Sequence, residues 1–188
     1  MKILGFVGKR KSGKTTAANM FLEVAAFNGS MFRKVSFADE LRRSFAEKRG
    51  IDPDLLLQNF AKEEYREDLI KYAIEIRKTD PLFFVRSLFD NILEYENIII
   101  DDVRYIEELE AIWNRKGVIY KVEAETKVLE SRGWKYTLGV DDDLGETELG
   151  SLSPHTFLPY GGFIYNNKGK EPLKSDLIKI YDKHFKGT

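Results

Sequence analysis

Apolar residues along this chain follow two rhythms. Largely apolar runs at 3–7, 97–101 and 117–122 read as strands, and the run Ile98-Ile99-Ile100 needs apolar cover on both faces of a parallel sheet. Shorter runs at 33–37 and 162–165 add two more strands, the second followed by an Asn166-Asn167 turn. Between the strands the apolar positions fall at helical spacing, over 14–27, over 39–48 ahead of Gly50, and over 62–77, where Tyr65, Leu69, Tyr72, Ala73 and Ile76 share a face. Asp80-Pro81 predicts an N-cap and first turn for a helix to about 95, and 105–115 and 171–185 complete the set. Strands alternating with helices predict an α/β fold in three layers, about five parallel strands with helices on both faces.

The rhythm fails over 131–159. This stretch carries Gly133, Gly139, Gly145, Gly150 and the acidic run Asp141-Asp142-Asp143, with few periodic apolar positions. A loop of this length in a compact domain is usually functional. The expectation is one domain spanning 1–188, with a mobile lid at about 125–160 and a helical, acceptor-binding region at about 39–95.

The first strand leads straight into chemistry. Gly8-Lys9-Arg10-Lys11-Ser12-Gly13-Lys14-Thr15 spells G-x-x-x-x-G-K-[ST], between a strand and a helix, which is the context a phosphate-binding loop requires. Its glycines let backbone N–H groups converge on a phosphate chain, and the helix that follows adds the positive end of its dipole. In that reading residues 8–16, Thr16 included, bind nucleotide, with Lys14 on the outer phosphates and Thr15 on Mg²⁺.

Asp101-Asp102-Val103-Arg104 ends the strongest strand, at the edge of the sheet where open α/β folds bind ligands. Asp101 and Asp102 are candidate metal-holding carboxylates, Asp102 is also a candidate catalytic group, and Arg104 is a candidate bidentate clamp on phosphate. Their alternative role is to cap the next helix. Arg42, Arg66, Arg77 and Arg86 are candidate acceptor-binding residues, because bringing two phosphates together requires cationic neutralisation. Arg132, at the start of the lid, is a candidate for closing over the transferred group. Tyr72 and Trp113 sit at core-like spacing, and His155 and His184 lack companions at metal-ligand spacing, so both read as surface residues.

Bulk properties narrow the partners. A formal charge of −1 creates no global field for nucleic acid or a membrane surface, so any bound anion needs a local cationic cluster, such as Lys9, Arg10, Lys11 and Lys14. The absence of cysteine removes disulfides and thiolate metal sites and fits a reducing compartment. No run approaches the length of a membrane span. The expected location is the cytoplasm, or a host's cytoplasm for a viral protein, and the expected state is a monomer or homodimer.

These residues resemble P-loop kinases of small phosphate esters. The resemblance rests on residues 8–15, Arg66, Arg77-Lys78-Thr79-Asp80-Pro81-Leu82-Phe83-Phe84-Val85-Arg86, Asp101-Asp102-Val103-Arg104 and Asn166-Asn167-Lys168-Gly169 in that order, and it covers nearly the whole chain. It implies the nucleoside-monophosphate-kinase architecture, with ATP and Mg²⁺ as cofactors and a small phosphate ester as acceptor. Two branches are similar. The phage-type deoxynucleoside monophosphate kinases match through Asp101-Asp102-Val103-Arg104-Tyr105 with Glu107 and Glu108, and through the Asn-Asn-x-Gly turn. Tyr65, Phe83 and Phe84 are aromatic candidates for stacking on a base. The animal-type phosphomevalonate kinases match through Gly-Lys-Arg-Lys-Ser-Gly-Lys, Arg132-Gly133-Trp134, Thr137, Gly139-Val140-Asp141-Asp142 and Glu146. They typically carry Asp where this chain has Thr15, and a second arginine where it has Tyr105. The reading favours a deoxynucleoside monophosphate as acceptor, with phosphomevalonate as the alternative and a regulatory nucleotide-binding module as the least favoured.

Overall fold

A computed structural model describes residues 1–56, 64–149 and 160–187, which form two compact units: Met1–Lys34 with Glu94–Thr188, and Val35–Leu93. The first holds a five-stranded parallel sheet of β1 (Ile3–Val7), β2 (Arg33–Val35), β3 (Ile98–Ile100), β4 (Val118–Glu123) and β5 (Tyr160–Tyr165), in the order β2-β3-β1-β4-β5. β1 is central, pairing Gly5 with Ile100 on one side and with Ile119 on the other.

Alternation along β1 sorts its residues between the two faces. Leu4 and Phe6, with Ile99, Val122 and Ile164, pack beneath α1 (Lys14–Phe27) and the C-terminal helix over Lys170–His184, which supply Ala17, Ala18, Phe21, Leu173, Leu177 and Tyr181. Small residues on α1 allow the helix to lie close to the sheet. On the other face Gly5 leaves room for the helix Ile106–Asn114: a Cβ there would lie 3.1 Å from the Ile112 side chain.

The second unit is helical. α2 (Phe37–Arg49), α3 (Pro53–Leu56), α4 (Arg66–Thr79) and α5 (Phe83–Asp90) are its elements among the described residues. Phe45, Ala46, Leu56, Leu69 and Tyr72 form its core, with Tyr65 against Phe45. Glu40 is buried there because two donors hold it: Arg43 at 2.6 Å and the Ser87 hydroxyl at 2.7 Å. Among the described residues four further helices lie in the sheet unit after β3: α6 (Ile106–Asn114), α7 (Thr126–Ser131), α8 (Leu144–Thr147) and α9 (Lys170–His184).

Several boundaries differ from expectation. The strand expected over 33–37 stops at Val35, and Phe37 already opens α2. Asp80 closes α4, its N–H bonding back to the Ile76 carbonyl at 2.8 Å, while its carboxylate accepts from Arg86 and from the Leu82 N–H at the entry to the next helix. α5 therefore begins only at Phe83, and it ends at Asp90 rather than near 95, where the Asn91 side chain caps the Ser87 carbonyl. Trp113, expected in the core, is 54% exposed, because α6 turns the neighbouring Leu109 and Ile112 to the sheet. His184, expected at the surface, is half-buried with its ring nitrogen 3.0 Å from the Tyr120 hydroxyl. α7 and α8 fall where no periodic pattern predicted helix. Residues 57–63 and 150–159, and with them Lys62 and His155, lie outside the described residues.

Candidate active site

The loop between β1 and α1 is shaped by residues that reach left-handed φ: Gly8 at 147°, Lys11 at 67° and Gly13 at 105°. A side chain at Gly8 would place its Cβ 2.2 Å from the Val122 carbonyl oxygen, and at Gly13 2.2 Å from the Asn166 amide nitrogen. These glycines are therefore required by close backbone approach as well as by conformation. The Ser12 carbonyl accepts hydrogen bonds from the Asn166 side chain at 2.9 Å and from Arg132 at 3.0 Å. Because a trans peptide points its C=O and N–H in opposite directions, this anchoring turns the Gly13 N–H the other way. Arg132 also reaches the Asn166 carbonyl at 2.7 Å. Arg132, expected to hang over the site from a lid, is thus built into the wall of the loop.

Lys14 folds inward. Its ammonium donates to the Gly8 carbonyl at 2.6 Å and the Lys9 carbonyl at 3.0 Å. Burial of that group, and then the neighbouring Arg104 charge, bring its pKa down to about 8, against the opposing pull of Glu146, Asp102 and Asp101. A cavity of about 540 Å³ opens beside the loop, lined by Lys14, Thr16, Arg132, Asn166, Gly169 and Leu173.

β1 and β3 are neighbours in register, so their carboxyl ends meet, and Asp101 comes to accept a hydrogen bond from the Thr15 hydroxyl. Burial, and the adjacent Asp102 charge, raise the Asp101 pKa above the ordinary carboxylate value, while Thr15, Lys34 and Lys14 pull it down. Lys34 stands 3.9 Å away. Neither aspartate caps α6; Glu108 does so, accepting from the Arg104 and Tyr105 N–H groups at 2.8 and 3.3 Å. The hydroxyl and carboxylate oxygens of Thr15, Asp101 and Asp102 are the hard donors that Mg²⁺ prefers.

Arg104 forms an ion pair with Glu146. The Glu146 and Asp102 charges hold its pKa above the ordinary arginine value although burial works the other way. The other oxygen of Glu146 accepts the Arg10 backbone N–H at 3.1 Å. The Arg10 guanidinium bonds Asp141 at 2.8 and 3.3 Å and the Lys135 carbonyl at 2.9 Å. Asp141 in turn accepts the Trp134 indole N–H at 3.0 Å. The described part of the glycine-rich segment is therefore fastened to the phosphate loop through its acidic residues. The sequence carried Asp141 and Glu146 only as motif letters, with no role, because their partners Arg10 and Arg104 are distant along the chain.

Lys14, Thr15, Asp101, Asp102, Arg104 and Arg132 thus cluster within the sheet unit. Arg42, Arg66, Arg77 and Arg86 lie in the helical unit, where Arg42 pairs with Asp39, Arg86 with Asp80, and Arg77 stacks over the Phe84 ring at 4.6 Å.

Comparison with known proteins places this geometry. The family model described as phosphomevalonate kinase matches residues 6–117. The chain belongs to the phosphomevalonate kinase family. A phosphomevalonate kinase of Drosophila melanogaster is 28% identical over 188 residues, covering 96% of this chain and 94% of its own length. Among solved structures, a proposed kinase of Chloroflexus aurantiacus has a TM-score of 0.52 at 13% identity, covering 98% of each chain. Shikimate kinase of Aquifex aeolicus aligns over 100% of both chains with a TM-score of 0.48 and 14% identity. As a member of the phosphomevalonate kinase family the chain is an ATP-dependent kinase with a small phosphate-bearing acceptor. The preference for a deoxynucleotide acceptor finds no support among these relatives, which favour the alternative. Among the described residues no helix is long and apolar enough to cross a membrane.

Proposed function

We propose that this member of the phosphomevalonate kinase family transfers the γ-phosphoryl group of ATP to the phosphate of 5-phosphomevalonate, giving ADP and diphosphomevalonate. The observation that carries this reading is the family match over residues 6–117, joined to a relative of that name aligned over 94% of its length. An oxygen of the acceptor phosphate attacks the γ-phosphorus; that P–O bond forms as the bond to the bridging oxygen of ADP breaks. No general base is needed, because a phosphate oxygen is already anionic at neutral pH, so catalysis is positioning and charge neutralisation.

The loop N–H groups and Lys14 hold the donor phosphates. Thr15, Asp101 and Asp102 are the residues that would hold Mg²⁺, which when bound neutralises the charge gathering on the phosphates. Arg104 offers its fork where the two phosphates meet, to the terminal phosphate of ATP and to the acceptor phosphate, and Arg132 braces the loop from the cavity wall through the Ser12 and Asn166 carbonyls. Arg42, Arg66, Arg77 and Arg86 are the candidate acceptor-binding charges of the helical unit. The expected location is the cytoplasm, and the expected state is a monomer or homodimer.

The test is ADP release from Mg·ATP with 5-phosphomevalonate, with each deoxynucleoside monophosphate, and with no acceptor. Turnover confined to phosphomevalonate is expected. Turnover confined to a deoxynucleotide would overturn the acceptor and leave the chemistry intact, and equal release without acceptor would replace the kinase by a hydrolase.

A further inference from the structure

The phosphate loop and Arg104 are already bound to one anion, supplied by the chain itself. Glu146 spans them: one carboxylate oxygen accepts the Arg10 N–H at 3.1 Å, and the other pairs with the Arg104 guanidinium. Its side chain is only 7% exposed. A carboxylate bridging a loop N–H and an arginine uses the same two kinds of donor that a phosphate oxygen uses at such a loop.

Its position along the loop can be fixed. The cavity beside Thr16, Asn166, Gly169 and Leu173 is the space available to a nucleoside. Glu146, Arg104 and Asp102 lie close enough to Lys14, the outer-phosphate residue, for their charges to act on it, and none of them lines that cavity. The carboxylate therefore lies where the terminal phosphate of a nucleoside triphosphate would come to rest. Two anions cannot share those donors without strong repulsion in a partly buried site.

We infer that Glu146 is a resident occupant of the terminal-phosphate position, holding Arg10 and Arg104 until the triphosphate displaces it. This rests on the reading of the loop as the ATP site and is independent of the acceptor. Its neighbours are arranged to hold it there. Asp141 grips the Arg10 side chain, and Glu148 accepts the Ile106 N–H at 3.0 Å, so the segment is pinned on both sides of Glu146. ATP binding then exchanges one anion for another, and the empty site is never an unscreened cluster of Lys14, Arg10 and Arg104.

The rival role is that of a positioning residue, in which Glu146 orients Arg104 for the bound phosphates and stays in place. The two roles predict opposite changes in affinity. Glu146→Gln and Glu146→Ala are compared with the natural sequence by calorimetric titration with ATP, ADP and adenosine. Displacement predicts that both variants bind ATP roughly tenfold more tightly, since a closed fraction no longer taxes binding. The gain is smaller for ADP and absent for adenosine. Unchanged or weaker ATP binding in both variants overturns the inference. ATP that fails to bind the natural sequence overturns the nucleotide reading itself.

A second measurement needs no change at Glu146. With Trp113→Phe the indole of Trp134, tied to Asp141, becomes the sole tryptophan reporter of the segment. Saturating ATP is expected to shift its emission, with adenosine silent; an emission indifferent to ATP also overturns the inference.

Discussion

Lys14 gives a pH dependence whose two consequences run in opposite directions. In the empty protein burial and Arg104 bring its pKa from 10.5 down to about 8. Bound phosphates supply the negative charge that restores an ordinary value, so binding above pH 8 must take up a proton. The affinity for ATP should then fall about tenfold for each pH unit above 8, or roughly thirtyfold at pH 9.5 relative to its plateau near pH 7. The terminal phosphate itself completes its last ionisation near pH 6 and contributes no slope in this range.

Stability shifts the other way. A lysine with a depressed folded pKa leaves the unfolded chain holding more protons between pH 8 and 10.5, so this group's contribution to stability rises with pH across that window. The ceiling is about 3 kcal/mol, reduced by the part of the side chain that faces water. Titration calorimetry in buffers of different ionisation enthalpy measures both the affinity and the proton taken up. Thermal denaturation of the nucleotide-free protein measures the stability. Lys14→Arg serves as the control, because a guanidinium stays charged and should flatten the affinity profile. A flat profile in the natural sequence, or proton release instead of uptake, would refute the argument.

Other changes test separate parts of the site. Lys14→Ala should lower turnover by at least two orders of magnitude with a cooperative melt retained, as steady-state ADP release and circular dichroism will register. Arg104→Lys should raise the KM for the acceptor more than that for ATP, because the bidentate fork is lost while ATP keeps the loop N–H groups and Lys14; initial-rate kinetics with each substrate varied separates the two. Gly8→Ala forces a Cβ against the Val122 carbonyl at a left-handed φ and should destabilise the fold by about 2–4 kcal/mol, read as a lowered Tm. Glu108→Ala leaves the Arg104 and Tyr105 N–H groups uncapped and should cost about 1–2 kcal/mol by chemical denaturation.

What the sequence disclosed, and what it withheld, follows from how locally each feature is specified. The phosphate loop was legible because its motif is contiguous from Gly8 to Thr15, even though Gly8 and Gly13 also answer to Val122 and Asn166 far along the chain, and Asp101 because a triple-isoleucine strand announces a buried sheet position. The branch of kinase was harder, since both branches share the loop, the strand end and the arginines, and differ at single positions such as Thr15 and Tyr105. Asp80-Pro81 misled only in the boundary: the Asp80 carboxylate does accept the Leu82 N–H two residues on, but Asp80 also closes α4, and the helix starts at Phe83. Trp113 misled because helical spacing assigns a face only to within about a third of a turn.

Glu146 was the least legible of all, since nothing near it in sequence is cationic; Arg10 and Arg104 lie 136 and 42 residues away. Its burial is nevertheless intelligible from the loop alone. A cradle that gathers Lys14, Arg10, Arg104 and converging N–H groups is destabilised when empty, because like charges crowd in a partly buried site. Such a site must carry water, a free anion, or an acid of its own chain. A tethered acid has the advantage of high effective concentration and needs no supply from solution. The same tether limits its grip, because the nucleotide brings several charges and a base where Glu146 brings one carboxylate. That difference in valence gives ATP the advantage in the exchange, and it makes the acidic residues of the glycine-rich segment part of how the loop selects a triphosphate.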